Sequence, residues 1–429
     1  MPRSSGHRAI GVAATSLLAA LSLALAVAPG APGAPPDRAF KTPSSGAQAF
    51  SAISGPNLRK TLRRQLRRAG AAGGAFVSDP VGGTVLFTRA AGRSRQIASN
   101  MKLFTTAAVL DRFGPAERLE TSLIAPGGMV GGVVQGDAIL RGDGDPGLRK
   151  GGLARLASAA RAGGLARISG RLRYDESIFD KRRKVPRKGI RGRPFAYVGR
   201  LSGLGFEGGR SVNPARSAAL KAVGLLRKRG IGVRKKVARG RAPAVTPLNL
   251  IAQVPSAPMA TLARITNTFS SNFYAETLLK RLAAEVRGRG RTKAGAAIVR
   301  RFAAEAGGKL RTQNGSGLSR ADRASPRSVG ALLAHMLGRE QPVRDAFLTS
   351  LAVAGRTGTL ARRMRGTAAR GRCVGKTGTL SGVSAVSGYC EVAPQRFVVF
   401  SILMNKVKNL RRAQLAQDRM VSLIARYSP

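Results

Sequence analysis

Leu58, Leu62 and Leu66 recur every fourth residue between Gly55 and Arg68, with Arg and Lys filling the positions between them, a spacing that predicts a basic amphipathic helix. Alternation then replaces that period. Gly74 to Ser78 and Thr84 to Thr88 read as the strands of a hairpin, with Asp79 to Gly83 supplying the turn. Met101 to Phe113 carries Leu103, Ala107, Val109 and Leu110 and predicts a buried helix. From about 114 to 246 the apolar stretches are short and cut by Gly and charge, as in Ala138 to Pro146. An inserted region of mixed structure is expected there, ending in a helix over Pro214 to Arg229 and a strand at Gly230 to Val233. Helical sequence resumes at Pro258 to Ala284, around Ala294 to Ala306 and at Ser328 to Leu337. Strand patterns follow at Arg372 to Thr379, Ser384 to Val392 and Arg396 to Met404, then a terminal helix from Leu410 to Arg426.

This order predicts an α/β fold with an antiparallel sheet flanked by helices, interrupted by an inserted mixed α/β region. The expected division is a signal peptide at 1–30, a flexible tether at 31–54, a first half-domain at 55–113, the insert at 114–246 and a second half-domain at 247–429. Arg3, His7 and Arg8 precede an apolar run from Ala9 to Ala28, which reads as a secretory signal. Export outside the cytoplasm is expected, with the run acting as a membrane anchor if it stays uncleaved. Residues 29 to 49 are rich in Pro, Gly, Ala and Ser.

The formal charge is +54, with 74 Lys and Arg against 20 Asp and Glu. Such a field attracts polyanions. Nucleic acid is not the expected partner, because aromatics make up only 5% with no Trp, so platforms for stacking bases are scarce. Acidic polymers of a cell envelope fit an exported chain better. The basic runs Lys181 to Lys188 and Arg227 to Lys236 read either as solvated surface or as a binding patch. Cys373 and Cys390 flank a turn at Ser381-Gly382 that sets them opposite each other; they are either bonded or two buried thiols.

The only two histidines are His7, inside the signal, and His335, in an apolar helical segment without an acidic neighbour in sequence. A Ser-His-Asp triad and a His-based zinc site are therefore not expected, and no metal or cofactor is called for. Three motifs supply another chemistry: Ser99-Asn-Met-Lys102, Ser270-Ser-Asn272 and Lys376-Thr-Gly378. A serine hydroxyl needs a base beside it, and a Lys held neutral can serve. Ser99 and Lys102 are three apart, so on a helix they share a face. Burial and a second cation, for which Lys376 is the candidate, lower a Lys pKa. Ser211-Val-Asn213 repeats the second motif but precedes Pro214, and reads as a helix cap. Gly375-Lys-Thr377 is no phosphate loop, since the first Gly of that motif would fall at Arg370.

These residues resemble the penicillin-recognising serine enzymes, whose motif set is Ser-x-x-Lys, Ser-x-Asn and Lys-Thr-Gly. The likeness is to the class C low-molecular-mass penicillin-binding proteins, the D-alanyl-D-alanine carboxypeptidase/endopeptidase family. It rests on Ala98 to Leu103, Asn314 to Arg320 and Gly375 to Val383, and runs from about residue 55 to the C-terminus. The wide gap between Lys102 and Ser270 matches the domains that family inserts there. The resemblance implies a β-lactamase/transpeptidase-like fold and peptidoglycan stem peptides as substrates, with β-lactams as acylating inhibitors. It makes Ser99 the acylated nucleophile, Lys102 its base and Ser270 a proton relay, with Asn272 positioning the substrate amide. Lys376 and Thr377 would hold the terminal carboxylate, Gly378 would let the strand approach the ligand, and the N–H groups of Ser99 and Thr379 would form the oxyanion hole. Ser271 and Asn314 stand where the family commonly has Asp. A β-lactamase or esterase on the same scaffold, and a non-catalytic basic wall-binding protein, are the alternatives.

Overall fold

The computed structural model describes residues 50–185 and 197–428. The expected signal peptide and all but the end of the expected tether lie outside the described residues. That end belongs to the fold, because Ile53 bridges Tyr427 and its N–H reaches Arg426 O at 2.9 Å.

A six-stranded antiparallel sheet carries the molecule, in the order Ala352–Val353, Cys373–Leu380, Val383–Ala393, Arg396–Asn405, Ala72–Asp79, Thr84–Arg89. Its central strands are apolar almost throughout because both faces are covered. In Arg396–Asn405 the period of two sends Val398, Phe400, Ile402 and Met404 to one core and Val399 and Leu403 to the other. The first core is closed by the first and last helices, Gly55–Arg68 and Leu410–Ile424, through Leu58, Leu62, Met420 and Ile424. The second is closed by helices that include Met101–Phe113 and Pro326–Leu337, through Phe104, Leu332 and Leu333. The two halves of the sheet come from opposite ends of the chain, and Ala72–Asp79 pairs with Arg396–Asn405 over seven residue pairs.

The pairing of Cys373–Leu380 with Val383–Ala393 has the expected register, with Leu380 opposite Val383 across Ser381-Gly382. Gly382 supplies the positive φ of 77° that the two-residue turn needs. Cys373 thereby stands opposite Cys390, and the two are bonded.

The insert builds a second sheet, in the order Leu250–Pro255, Glu120–Ile124, Ala138–Gly142, Leu172–Asp175, Val237–Arg239. Its first two pairings are antiparallel and its last two parallel, which makes the region mixed, as expected. The parallel strands are joined through helices Lys150–Ala162 and Pro214–Arg227, the long crossovers that parallel neighbours require. Two expectations are corrected here. Gly230 to Val233 is no strand; Gly232 makes one isolated bridge to Arg167, and the strand comes at Val237–Arg239. Residues 247 to 255, grouped by sequence with the second half-domain, supply an edge strand to the insert's sheet.

A third correction bears on chemistry. The helical stretch expected over 258–284 is two helices, Met259–Thr268 and Asn272–Arg287, broken at Phe269 to Ser271. The break falls inside the second motif.

Candidate active site

Ser99 sits in a single 3-10 turn, Ala98–Asn100, that runs directly into Met101–Phe113. The backbone entering it is strained: Ala98 has φ 46°, a left-handed value that costs a non-glycine residue about 1–3 kcal/mol. Packing from two sides maintains that conformation. A Cβ on Gly317 would stand 1.9 Å from Ala98 O, and one on Gly378 would stand 2.8 Å from Ile97 O and 3.1 Å from Ser99 N. Glycine at 378 thus lets the third-motif strand lie against the Ser99 backbone. Asn100 ties the two together from below, donating from Nδ2 to Lys376 O at 2.9 Å while its Oδ1 accepts from Ser387 Oγ at 2.7 Å.

One turn into the helix, Lys102 is fully buried. Its Nζ lies 3.0 Å from Ser99 Oγ, 2.7 Å from Asn272 Oδ1 and 2.8 Å from Ser316 O. Burial pulls the ammonium down to about 7, against the upward pull of Glu276 and Asp322. The expected second cation is close enough to couple to it. Lys376 is itself fully buried, and its pKa is lowered well below the usual range by burial and then by Lys102; its Nζ donates to Thr377 O at 2.8 Å.

Three acceptors meet three ammonium hydrogens. Once Lys102 loses a proton it has two N–H groups and one lone pair. The Asn272 and Ser316 oxygens can only accept, so the lone pair is left to the one partner able to donate, Ser99 Oγ. The arrangement therefore aims a neutral amine at a serine hydroxyl.

The second motif reaches the site through its last residue. Ser271 caps Asn272–Arg287, its Oγ accepting from Tyr274 N at 3.4 Å. Asn272, at the first helical position, meets Lys102 and donates from Nδ2 to Tyr197 O of the insert at 3.1 Å. Ser270 has φ 58° in the break between helices, and its hydroxyl makes no hydrogen bond to Ser99 or Lys102 among the described residues. Ser211-Val-Asn213 is a cap, as read from sequence, with Asn213 accepting from Arg216 N. In the third motif the strand's alternation buries Lys376 and Gly378 and turns Thr377 and Thr379 outward; Thr377 is half-buried and Thr379 exposed.

A short three-stranded sheet joins Arg95–Gln96, Arg323–Ala324 and Leu310–Arg311, and it delivers the Asn314–Arg320 loop to the turn that carries Ser99. Asn314 Oδ1 accepts from Gly317 N at 2.9 Å, so the Asn314 side-chain amide shapes the loop around the left-handed Gly317. Residue reading overlooked Glu276 and Tyr197. Glu276 had a signal, a lone acid four residues beyond Asn272 on a face otherwise apolar with Leu279 and Ala283.

The sequence matches the D-Ala-D-Ala carboxypeptidase 3 (S13) family over residues 57–212 and 207–427. The chain belongs to that peptidase family. As an S13 chain it is 31% identical to a D-alanyl-D-alanine carboxypeptidase of Actinomadura sp. over 425 residues, 78% of each chain. It is 28% identical to carboxypeptidase DacB of Mycolicibacterium smegmatis over 94% of each. Among solved structures, penicillin binding protein 4 (dacB) of Haemophilus influenzae superposes with a TM-score of 0.72 at 20% identity, over 85% of this chain and 98% of that one. That likeness confirms the fold of the S13 chain, a penicillin-recognising serine-enzyme architecture with an insert after the first motif.

Proposed function

We propose that the protein is a serine D-alanyl-D-alanine carboxypeptidase that cleaves peptidoglycan stem peptides through an acyl-enzyme on Ser99. The observation that carries this reading is the buried Lys102 Nζ, 3.0 Å from Ser99 Oγ, with both remaining hydrogen-bond positions filled by acceptors. Neutral Lys102 takes the hydroxyl proton as Ser99 Oγ bonds to the carbonyl carbon of the penultimate D-Ala. The N–H groups of Ser99 and Thr379 hold the oxyanion. The proton passes to the leaving amine by way of Ser270, the terminal D-Ala departs, and water then releases the acyl group. Ser270 makes no hydrogen bond to Lys102 among the described residues, so the relay is completed only with substrate bound.

Lys376 is the proposed seat of the terminal carboxylate, with Thr377 beside it. Burial disfavours its ammonium in the free enzyme, and an arriving carboxylate supplies the countercharge that restores it. Asn272 would orient the substrate amide while holding Lys102. β-Lactams enter the same site as acylating inhibitors.

Incubation with defined muropeptides tests the reading. Pentapeptide monomers are expected to lose the terminal D-Ala, and cross-linked dimers to be cut if the cleft also admits endopeptidase action. Failure to release D-Ala from any of them would refute the assignment, and rapid turnover of benzylpenicillin instead would favour a β-lactamase.

Action outside the cytoplasm is supported by the apolar run 9–28 and by the Cys373–Cys390 bond, which persists in oxidising compartments. No helix among the described residues is long and apolar enough to cross a membrane.

For the positive charge we propose acidic envelope polymers as partners, seated where the first and last helices meet. Gly55–Arg68 carries six cations and no acid. A groove of about 600 Å³ beside it is lined by Arg68, Arg411, Arg412 and Arg419, and a second of about 410 Å³ by Arg63, Arg67, Arg89 and Lys406. The expected patch at Arg227 to Lys236 is largely exposed; of the other run, residues 186 to 188 lie outside the described residues and Arg183 is engaged with Glu176. Retention on immobilised polygalacturonate should fall steeply with salt, survive Ser99→Ala, and weaken when Arg63, Arg67, Arg411 and Arg419 are changed together to Gln. Equal retention by that variant would remove the groove from consideration.

A further inference from the structure

Glu276 lies one helical turn beyond Asn272, on the same face of Asn272–Arg287, and is fully buried. Its carboxylate oxygens accept the N–H groups of Gly315 at 3.2 Å and Ser316 at 2.9 Å. The Ser316 carbonyl in turn accepts from Lys102 Nζ at 2.8 Å. Glycine at 315 permits this approach, since a Cβ there would stand 2.6 Å from Ala275 O of the same helix. We propose that Glu276 is a positioning residue for the acylation base: it fixes the Gly315–Ser316 peptide so that the Ser316 carbonyl directs the Lys102 amine toward Ser99, and its charge sets the pH at which that amine becomes a base. This rests on the acyl-enzyme reading.

A carboxylate removed from water persists only where it is paired and hydrogen-bonded. Glu276 has its N–H donors, and the Lys102 charge beside it lowers its pKa. Of the cations on its own helix, Lys280 also feels Glu276 but is bound at 2.6 Å to Asp180 and at 2.7 Å to Arg182 O, and Arg281 pairs with Asp143 and Glu285. Three charged groups face Lys102 from the elements packed on it: Glu276 from the helix, Asp322 from the end of the 312–322 loop and Lys376 from the strand. Glu276 and Asp322 favour the Lys102 ammonium, and Lys102 in turn disfavours that of Lys376. Asp322 holds a different part of the loop, its Oδ1 accepting from Thr312 Oγ1 at 3.0 Å and Gln313 N at 2.8 Å. Burial raises both acids, Asp322 up to about 7; for Glu276 the N–H groups of Gly315 and Ser316 and the Lys102 charge pull the other way. Glu276 is thus the acid that both touches the Ser316 peptide and acts on the Lys102 charge.

The pH dependence of benzylpenicillin acylation in the full chain, compared for wild type, Glu276→Gln and Glu276→Asp, tests this. An amide accepts through one oxygen only, so Glu276→Gln loses one N–H partner and the charge together. Its acid limb is expected to move about one unit to lower pH, because removing a nearby opposite charge lowers a Lys pKa. Its plateau should fall about 100-fold, the scale of a misplaced catalytic group. Glu276→Asp keeps the charge and shortens the reach, so its limb should stay in place with a lowered plateau. A merely structural residue would lower the plateau without moving the limb in Glu276→Gln, and that result overturns the proposal. If Glu276→Gln does not fold, Glu276→Asp decides: a wild-type plateau overturns, and a lowered plateau on an unmoved limb supports. Absence of acylation in wild type would sink the acyl-enzyme reading itself, whereas normal wild-type acylation with an unmoved Gln limb sinks only the role of Glu276.

Discussion

Ser99→Ala is expected to abolish both covalent labelling by benzylpenicillin and release of D-Ala, while leaving the fold intact. Removal of a serine nucleophile costs on the order of 10⁶ in turnover in the best-studied serine peptidases, and the chain offers no substitute at this position. Asn100 is turned away, its side-chain amide engaged with Lys376 O and Ser387 Oγ. Ala fits the turn, because the strained residue is Ala98 and position 99 needs only its side chain changed. Mass spectrometry of the intact protein after benzylpenicillin reads the outcome. An adduct that persists in Ser99→Ala, or one mapped to another residue of wild type, would displace Ser99 from the role proposed for it.

The second large effect belongs to Lys102. Lys102→Met keeps most of the volume and deletes the amine, and acylation is expected to fall by about 10⁴, the upper range for a general base. The stability cost is separate: Ser316 O and Asn272 Oδ1 lose their donor and Glu276 loses its cation, so the melting temperature should also drop. Rates are therefore compared at a temperature where both proteins remain folded. In wild type the pH profile carries the sign. The amine acts only when neutral, its pKa stands at about 7, and so acylation should rise tenfold per unit through the acid range and level off above about pH 7. A flat profile between pH 5 and 9 would exclude Lys102 as the base.

The features readable along the chain are those decided by local physical chemistry. The Leu58, Leu62, Leu66 spacing buries one face of a helix wherever that helix docks. The register that sets Cys373 against Cys390 follows from a two-residue turn and a period of two. The Ser99 to Lys102 separation places both groups on one helical face within reach of each other. The order of three motifs, with no usable histidine, pointed away from a triad and toward the family to which the chain belongs, since each motif spans residues at most three apart.

Chain-distant partners were not readable, because nothing local records which surfaces meet. Lys102 finds Asn272 170 positions away and Ser316 214 positions away. The break in the 258–284 helix was hidden because Phe269, Ser270 and Ser271 are each tolerated in helices, and the chain bends there only because packing overrides propensity. The state of the two lysines likewise depended on burial: both ammonium groups are withdrawn from water, and Lys102 has Glu276 and Asp322 acting to support its charge. From sequence alone came the family resemblance that implies the reaction type, and Ser99 and Lys102 as its proposed nucleophile and base, set within reach by short-range spacing. Folding in three dimensions decided which carbonyls, acids and glycines surround the base, because desolvation and close approach exist only once distant segments are packed together.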